Sequence, residues 1–482
     1  MPLESTATLP AEELDTILSR AAEIAAEYLR GHCDPGAVVN PCATPEQIRE
    51  QITLMPGREG RSIEAVLDDV TRVLELSPRT GHAGWCNQLF GGYDLTGVVG
   101  EWMAAILNST MATYEAAPVA TIIEHAMIEK MCALAGFDPG EGIFTPGGSI
   151  SNLMAVLAAR LAADSDSNRK GLAGAKPMAM FTSTESHYSI LRGAMIAGLG
   201  TDAAKRIEID HEGRMVPEAL EAAIGEAVRE GYRPIFVCAT AGTTVYGAYD
   251  PIEPIADIAQ RHGMWLHVDG AYGGSTLLSP THRNLLSGIE RADSLTWCPH
   301  KMMGLPLACS ALLVRRDGWL AQCNTSGAEY LFHDQPNAGY DMGEMSLQCG
   351  RRMDALKLWL TWQHFGDDGF AERIDQLFDL AQRFAAMVRE RPGFRLVRDV
   401  SSCNVLFHCV PRSLRDAQPS PEQLDLATKT IRERVMSAGR VMINYAPIEG
   451  VAAFRMVLVN PRATDDDLRL YLDEIETASA GL

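Results

Sequence analysis

The run Trp265-Leu266-His267-Val268-Asp269, followed at once by Gly270-Ala271-Tyr272-Gly273-Gly274, constrains the fold more than any other stretch of this chain. It is short, mostly apolar and closed by a Gly/Ala turn, which predicts a buried strand ending in an acid. An acid at the carboxyl end of a strand stands where open α/β sheets place their ligands. The surrounding pattern agrees. From about Leu76 to Phe365, strand-like runs such as Ile235-Phe236-Val237-Cys238 alternate with helical runs such as Pro251 to His262. Such alternation predicts a mostly parallel sheet with helices on both faces.

Two further regions flank this one. Residues 1–75 read as a helical segment, with Leu14, Ile17, Leu18, Ala21 and Ile24 at helical spacing between Ala11 and Arg30. Residues 76–365 are the large domain, and residues 366–482 read as a small C-terminal α/β domain. In the last region we expect a helix over Phe370 to Arg389, a strand over Asn404 to His408 and a helix over Pro421 to Ala438. A strand over Phe454 to Val459 and a helix from Thr464 complete it.

Composition narrows the partners. A net charge of −20 disfavours nucleic acid and anionic membrane surfaces. The eleven cysteines are scattered, odd in number and without a Cys-x-x-Cys pair, which suits reduced thiols in a cytoplasmic protein and supports neither a disulfide framework nor a metal site. Met1-Pro2-Leu3-Glu4-Ser5 lacks the basic-then-apolar pattern of a signal peptide. No uncharged apolar run reaches the roughly twenty residues a membrane helix needs.

About thirty residues after Asp269 comes Trp297-Cys298-Pro299-His300-Lys301-Met302-Met303-Gly304. Apolar surroundings favour the neutral form of an amine, the form that adds to an aldehyde. Pyridoxal phosphate asks its protein for a lysine at the aldehyde and a carboxylate at the pyridinium nitrogen, which Lys301 and Asp269 can supply. These two residues alone are equally compatible with a surface lysine and a helix-capping acid. Gly147-Gly148-Ser149 opens a helical run and can hold a phosphate on backbone N–H groups, although an ordinary helix cap has the same sequence. His187 follows the strand-like Met178 to Phe181 and can lie flat on a cofactor ring; a structural histidine would also fit there.

Taken together the segments resemble the group II pyridoxal-phosphate-dependent amino-acid decarboxylases, in the branch of glutamate, aspartate and cysteine-sulfinate decarboxylases. The resemblance runs from about Asn40 to the C-terminus. It is carried by Asn87 to Phe90, Thr113-Tyr114-Glu115, Phe144 to Asn152, Ser186 to Ser189, Ala239 to Gly247, Pro299 to Gly304, Gln348 to Arg351 and Phe454 to Val457. It implies a fold-type I, aminotransferase-like α/β architecture and a homodimer with shared active sites. Lys301 would carry the cofactor and Asp269 would keep its ring nitrogen protonated. His187 and Ala271 would cover the two ring faces, Thr244 would reach the ring hydroxyl, and Gly148, Ser149 and His300 would lie near the phosphate. Gly350 would serve the partner's cofactor. Tyr330 matches the family's catalytic-loop tyrosine, which protonates Cα; relatives lacking that hydroxyl form aldehydes. Arg455 would grip the substrate carboxylate, with Gln88, Phe90, Thr110 and Ala112 around the side chain.

The chain departs from the family at three places. Cys298 replaces an asparagine that helps hold the phosphate, Ala112 stands where relatives carry an aromatic, and Ala83-Gly84 replaces a Pro-Arg pair. A small acidic substrate is the first expectation, a bulkier or less polar amino acid the second, and an aldehyde synthase or aminotransferase the third.

Overall fold

The computed structural model describes residues 11–325, 327–328, 330–333, 336–416 and 419–482. The extreme N-terminus, Met1 to Ser5 included, lies outside them. Two compact units emerge. One comprises residues up to Gly92 together with Arg383–Val397 and Leu406–Leu482; the other comprises Tyr93–Gln382 and Arg398–Val405.

The larger unit is built on a seven-stranded sheet. Its strands are β1 (Glu141–Thr145), β2 (Met178–Ser183), β3 (Ala204–Ile207), β4 (Arg233–Thr240), β5 (Trp265–Gly270), β6 (Ser294–Trp297) and β7 (Ser310–Val314), in the order β1-β7-β6-β5-β4-β2-β3. Neighbours β6-β5-β4-β2-β3 pair in parallel, and β7 runs antiparallel to both β6 and β1. All six residues of β5 are buried, as a strand covered on both faces requires. The helix Gly148–Ala163 packs on the sheet through Ala155, Ala158 and Ala159, each at most 1% exposed. These small side chains bring the helix close, and Met154, Met180, Ile190, Phe236 and Leu312 fill the space between. Full burial of a side chain such as Phe236 contributes roughly 1.5–3 kcal/mol.

This topology puts the carboxyl ends of β1, β2, β4, β5 and β6 on one edge. The five strand ends and the segments that follow them carry Gly148, His187, Thr244, Asp269 and Lys301.

The smaller unit holds most of a four-stranded sheet, β10-β11-β9-β8, made of β8 (Phe394–Leu396), β9 (Asn404–Cys409), β10 (Asn444–Ile448) and β11 (Val451–Val457). The helix Pro421–Ala438 forms as expected. Ser420 Oγ accepts from Gln423 N while Gln423 Oε1 accepts from Ser420 N, Pro421 occupies the first turn, and Gly439 ends the helix at φ 73°. The last strand is shifted from its expected place. It starts at Val451, after a turn with Glu449 and Gly450 at positive φ, and its pairing with β10 ends at Asn444↔Arg455. The apolar run through Leu458 and Val459 continues buried beyond that pairing, so apolarity outruns the strand. The long helix Asp354–Glu390 breaks at Gly366, whose φ of 65° no helix accommodates.

Candidate active site

Asp269 is the next-to-last residue of β5 and is 4% exposed. Each of its oxygens has a donor: Asn152 Nδ2 donates to Oδ2 at 2.8 Å and Ala271 N donates to Oδ1 at 3.1 Å. Ala271 is buried beside it. Among the described residues two neutral donors and no cation bond the carboxylate, which leaves its charge to be matched by something that enters the site.

Lys301 lies in the loop that follows β6 and is only half-buried, so its amine can be reached. The loop is tightly wound: Lys301 N donates to Cys298 O and Gly304 N donates to Lys301 O, both at 3.0 Å. His187 senses the charges of both Asp269 and Lys301. Burial, and secondarily Lys301 and Arg192, hold its pKa below the usual imidazole value against the pull of Asp269. A ring in that state is neutral at physiological pH and suited to stacking. His300 is more enclosed. Burial first, with Lys301 adding to it, brings its pKa down to about 4, and its Nδ1 donates to Cys309 O at 2.5 Å.

The helix Gly148–Ala163 opens directly onto this cluster. Gly147 occupies its N-cap at φ 151° and no side chain caps it. A Cβ placed on Gly148 would stand 3.1 Å from Cys298 Sγ and 3.4 Å from both Ala271 Cβ and Thr296 Cγ2, so the glycine lets the helix end settle against the loop. Cys298 is fully buried, and burial raises its thiol pKa. Its S–H donates to Ser310 Oγ at 3.2 Å, which continues through Ser151 to Thr145. The thiol is therefore a neutral packing group under the helix terminus, and its hydrogen is directed into a hydroxyl chain. Thr244 is half-buried in the turn after β4, where its carbonyl and that of Val245 accept from Asn404 Nδ2.

The donor set fits pyridoxal phosphate. An uncapped helix N-terminus with glycine at its cap suits the phosphate. A carboxylate held by two N–H groups suits the ring nitrogen, and a reachable amine suits the aldehyde.

Tyr330 is 82% exposed and Gly350 is exposed, with nothing within 4 Å of a Cβ built on it. Thr110 is half-buried and its Oγ1 accepts from Arg351 N at 3.4 Å. Ala112 is 3% exposed and its carbonyl accepts from Gly343 N at 2.9 Å. Arg455, Gln88 and Phe90 belong to the smaller unit. Arg455 on β11 is 6% exposed and donates to Asn87 O, Gln88 next to it is exposed, and Trp85 Nε1 donates to Phe90 O at 2.8 Å.

Sequence reasoning passed over the side chains that hold Asp269. Asn152, Ser189, His267, Thr296 and Ser294 form a buried hydrogen-bonded set around it. One signal was available: residues i and i+2 of a strand share a face, so His267 must lie on the same side of β5 as Asp269.

The pyridoxal-dependent decarboxylase conserved domain matches residues 45–410, more than half of the chain. Human cysteine sulfinic acid decarboxylase is 45% identical over 440 residues, covering 90% of this chain and 89% of that protein. The human acidic amino acid decarboxylase GADL1 is 40% identical over 439 residues, covering 90% and 84%. The crystal structure of mouse CSAD superimposes with a TM-score of 0.96 at 40% identity, covering 98% of this chain and all of that one. With a lysine, a doubly anchored carboxylate and an open helix terminus on one sheet edge, the chain belongs to the pyridoxal-dependent decarboxylases, carboxy-lyases that work with pyridoxal phosphate.

Proposed function

We propose that this enzyme removes the α-carboxyl group of a small acidic L-amino acid, with cysteine sulfinate, aspartate and glutamate as the candidates. The observation that carries the chemistry is the Asp269 carboxylate, held by Asn152 and Ala271 at the carboxyl edge of the sheet with Lys301 in the neighbouring loop. The substrate class rests on the relatives whose names specify cysteine sulfinic acid and acidic amino acids.

Bound pyridoxal phosphate supplies an electron sink for the pair left at Cα when the carboxyl group departs. Lys301 would hold the cofactor through its amine. Asp269 would hold a proton on the ring nitrogen, and His187 would cover one ring face. Arg455 takes the substrate carboxylate on two parallel N–H groups, which fixes the bond to be broken. As that carboxyl group leaves as CO₂, Tyr330 would deliver a proton to Cα. Gly148, Ser149 and His300 would hold the phosphate, Thr244 would meet the ring hydroxyl, and Gln88, Phe90, Thr110 and Ala112 would shape the side-chain pocket.

A homodimer with shared sites belongs to this reading. Trp102 (45% exposed), Ile106 (67%) and Val119 (71%) lie on the helices Leu95–Leu107 and Pro118–Ala135, an apolar surface suited to a second copy. Exposed Tyr330 and Gly350 are then free to serve the partner's site. Among the described residues no helix is long and apolar enough to cross a membrane. The eleven unpaired cysteines suit a reducing cytoplasm. Ala112 favours a second reading, a bulkier or less polar substrate, because a small residue there leaves room.

The test is to incubate purified protein and pyridoxal phosphate with the common L-amino acids and cysteine sulfinate, measuring CO₂ and identifying the amine. Preference for an acidic substrate is expected, and turnover confined to aromatic or aliphatic ones would overturn the assignment. Borohydride reduction should label Lys301. Asp269→Ala should retain some cofactor yet lose at least roughly 100-fold in kcat; near-normal turnover in that variant would refute its role.

A further inference from the structure

The side chains around Asp269 form one continuous hydrogen-bonded unit centred on Asn152. Strand register explains why they meet. His267 and Asp269 stand two apart on β5, and their partners on β6 are Ser294 and Thr296, so all four share a sheet face. The helix Gly148–Ala163 contributes Asn152, one turn in from Gly148 and 1% exposed.

Each hydrogen-bonding position of the Asn152 amide is filled. Its Oδ1 accepts from Thr296 Oγ1 at 2.7 Å and from His267 Nε2 at 3.0 Å; its Nδ2 donates to Asp269 Oδ2 and to Ser189 Oγ, both at 2.8 Å. The opposite amide orientation would press a carbonyl oxygen against a carboxylate oxygen at that same distance, so the orientation is set by charge. Proton directions follow. Trp265 Nε1 donates to Ser294 Oγ at 2.8 Å, Ser294 donates to His267 Nδ1 at 2.8 Å, and the remaining His267 proton is on Nε2, facing Asn152. On the other side Ser189 Oγ receives the Asn152 proton and its own hydroxyl donates to His187 Nδ1 at 2.8 Å. Ser189 N donates to that same nitrogen at 3.3 Å. His187 therefore keeps its proton on Nε2.

We propose that Asn152 is the positioning residue of this site, fixing the rotamer of Asp269 and, through Ser189, the tautomer of His187, so that one side chain sets both groups that would meet the cofactor ring. Its place on the helix that begins at Gly148 also ties the Asp269 carboxylate to the phosphate-binding terminus at a fixed distance. An asparagine suits the task because it donates twice and accepts twice. Aspartate would set two carboxylates against each other, and threonine has one donor. The roles given to Asp269 and His187 rest on the proposed function above.

The test uses Asn152→Leu, close in volume and without polar atoms, with Thr296→Val and Ser189→Ala beside it. In ¹⁵N-histidine-labelled protein freed of cofactor, the His187 signal, identified by its loss in His187→Gln, should show an unprotonated Nδ1. In Asn152→Leu that resonance should move toward the protonated value as Ser189 Oγ becomes free to accept and only the longer contact from Ser189 N opposes a proton on Nδ1. The Kd for pyridoxal phosphate should rise at least roughly tenfold, as expected for loss of a hydrogen bond to a charged group. Thr296→Val removes one donor to Oδ1 but neither donation from Nδ2, so its His187 resonance should match wild type and its Kd should stay within about threefold. An unchanged His187 resonance and Kd in Asn152→Leu would overturn the proposal, as would equal effects in Thr296→Val. Should Asn152→Leu fail to fold, Ser189→Ala decides: a moved His187 resonance with cofactor Kd nearly unchanged supports the network, and an unmoved one overturns it. The resonance is read without cofactor or substrate, so normal turnover of Asp269→Ala would sink the functional reading while leaving this result standing.

Discussion

Arg351 Nη1 donates to Glu124 Oε1 at 2.8 Å, and the two side chains are 3% and 0% exposed. The pair is a clamp. Glu124 Oε1 also accepts from Phe144 N at the end of β1, while Arg351 donates to Phe144 O and Met111 O and its backbone pairs with Met111 N and Thr110 Oγ1. The segment carrying Thr110 and Ala112 is thus tied to the strand that leads into the Gly148 helix. Removing one member of a buried ion pair leaves the other charge unmatched, at about 3–5 kcal/mol. Glu124→Ala should lower the urea midpoint of unfolding by a corresponding amount, and Glu124→Gln, which keeps the shape and one acceptor, by less. Equal midpoints for wild type and Glu124→Ala would show that the pair contributes nothing.

The exposure of Tyr330 leads to a complementation experiment. Lys301→Ala and Tyr330→Phe should each form almost no amine as homodimers, and amine is the product to measure. Unfolded together and refolded, they should give hybrid dimers in which one site has both residues intact, and activity should return in part. A mixture that stays dead although hybrids demonstrably form would show that each chain builds its site alone.

Much of this could be read from the chain in advance. The burial of β5, its terminal acid and the helix Pro421–Ala438 followed from apolar runs and capping residues, which are local signals. Lys301 and Asp269 stood out because their chemistry is uncommon. The hydrogen-bonded unit of Asn152 did not, because Asn152 and Thr296 lie 144 positions apart and nothing local marks an amide that bonds across a helix–sheet interface. β10 was missed for a related reason. Its Pro447 and Asn444 argue against a strand, yet an edge strand tolerates proline where no ladder donor is needed. Cys298 stands where the resemblance places an asparagine beside the phosphate, and its bond to Ser310 could not be read from the sequence because it depends on the turn between β6 and β7.

Acid should destabilise the fold through its enclosed histidines. Burial brings the pKa values of His267 and His300 down from 6.5 to about 4. Between those values the unfolded chain binds protons that the native protein excludes, so stability rises with pH across the window and is lost as pH falls through it. For fully buried His267 the limit is on the order of 3 kcal/mol. Asp250 opposes this: burial pushes its pKa up to about 7, so the native protein holds a proton that the unfolded chain has lost, and its contribution fades as pH rises toward 7. Urea midpoints at pH 5, 6 and 7.5 should rise in wild type, and less steeply in His267→Gln. Identical slopes would remove His267 from the account.

Selectivity offers the sharpest check on the pocket. Ala112 is buried, and the backbone beside it is already crowded: a Cβ on Gly343 would meet Ala112 O at 2.8 Å and Phe332 Cζ at 2.6 Å. Phenylalanine at 112 adds on the order of 100 Å³, and forcing such volume into occupied space costs about 1–3 kcal/mol. If open pocket receives the ring, that cost falls on large substrates instead of on the fold, as a roughly ten- to hundred-fold change in relative kcat/KM. Ala112→Phe should therefore spare or improve turnover of an aspartate-sized substrate and depress that of anything larger than glutamate. The measurement is kcat/KM over a size series of amino acids, with the urea midpoint alongside. A lowered midpoint with the substrate ranking unchanged would mean that residue 112 faces the core, and the pocket would then have to be shaped by other residues.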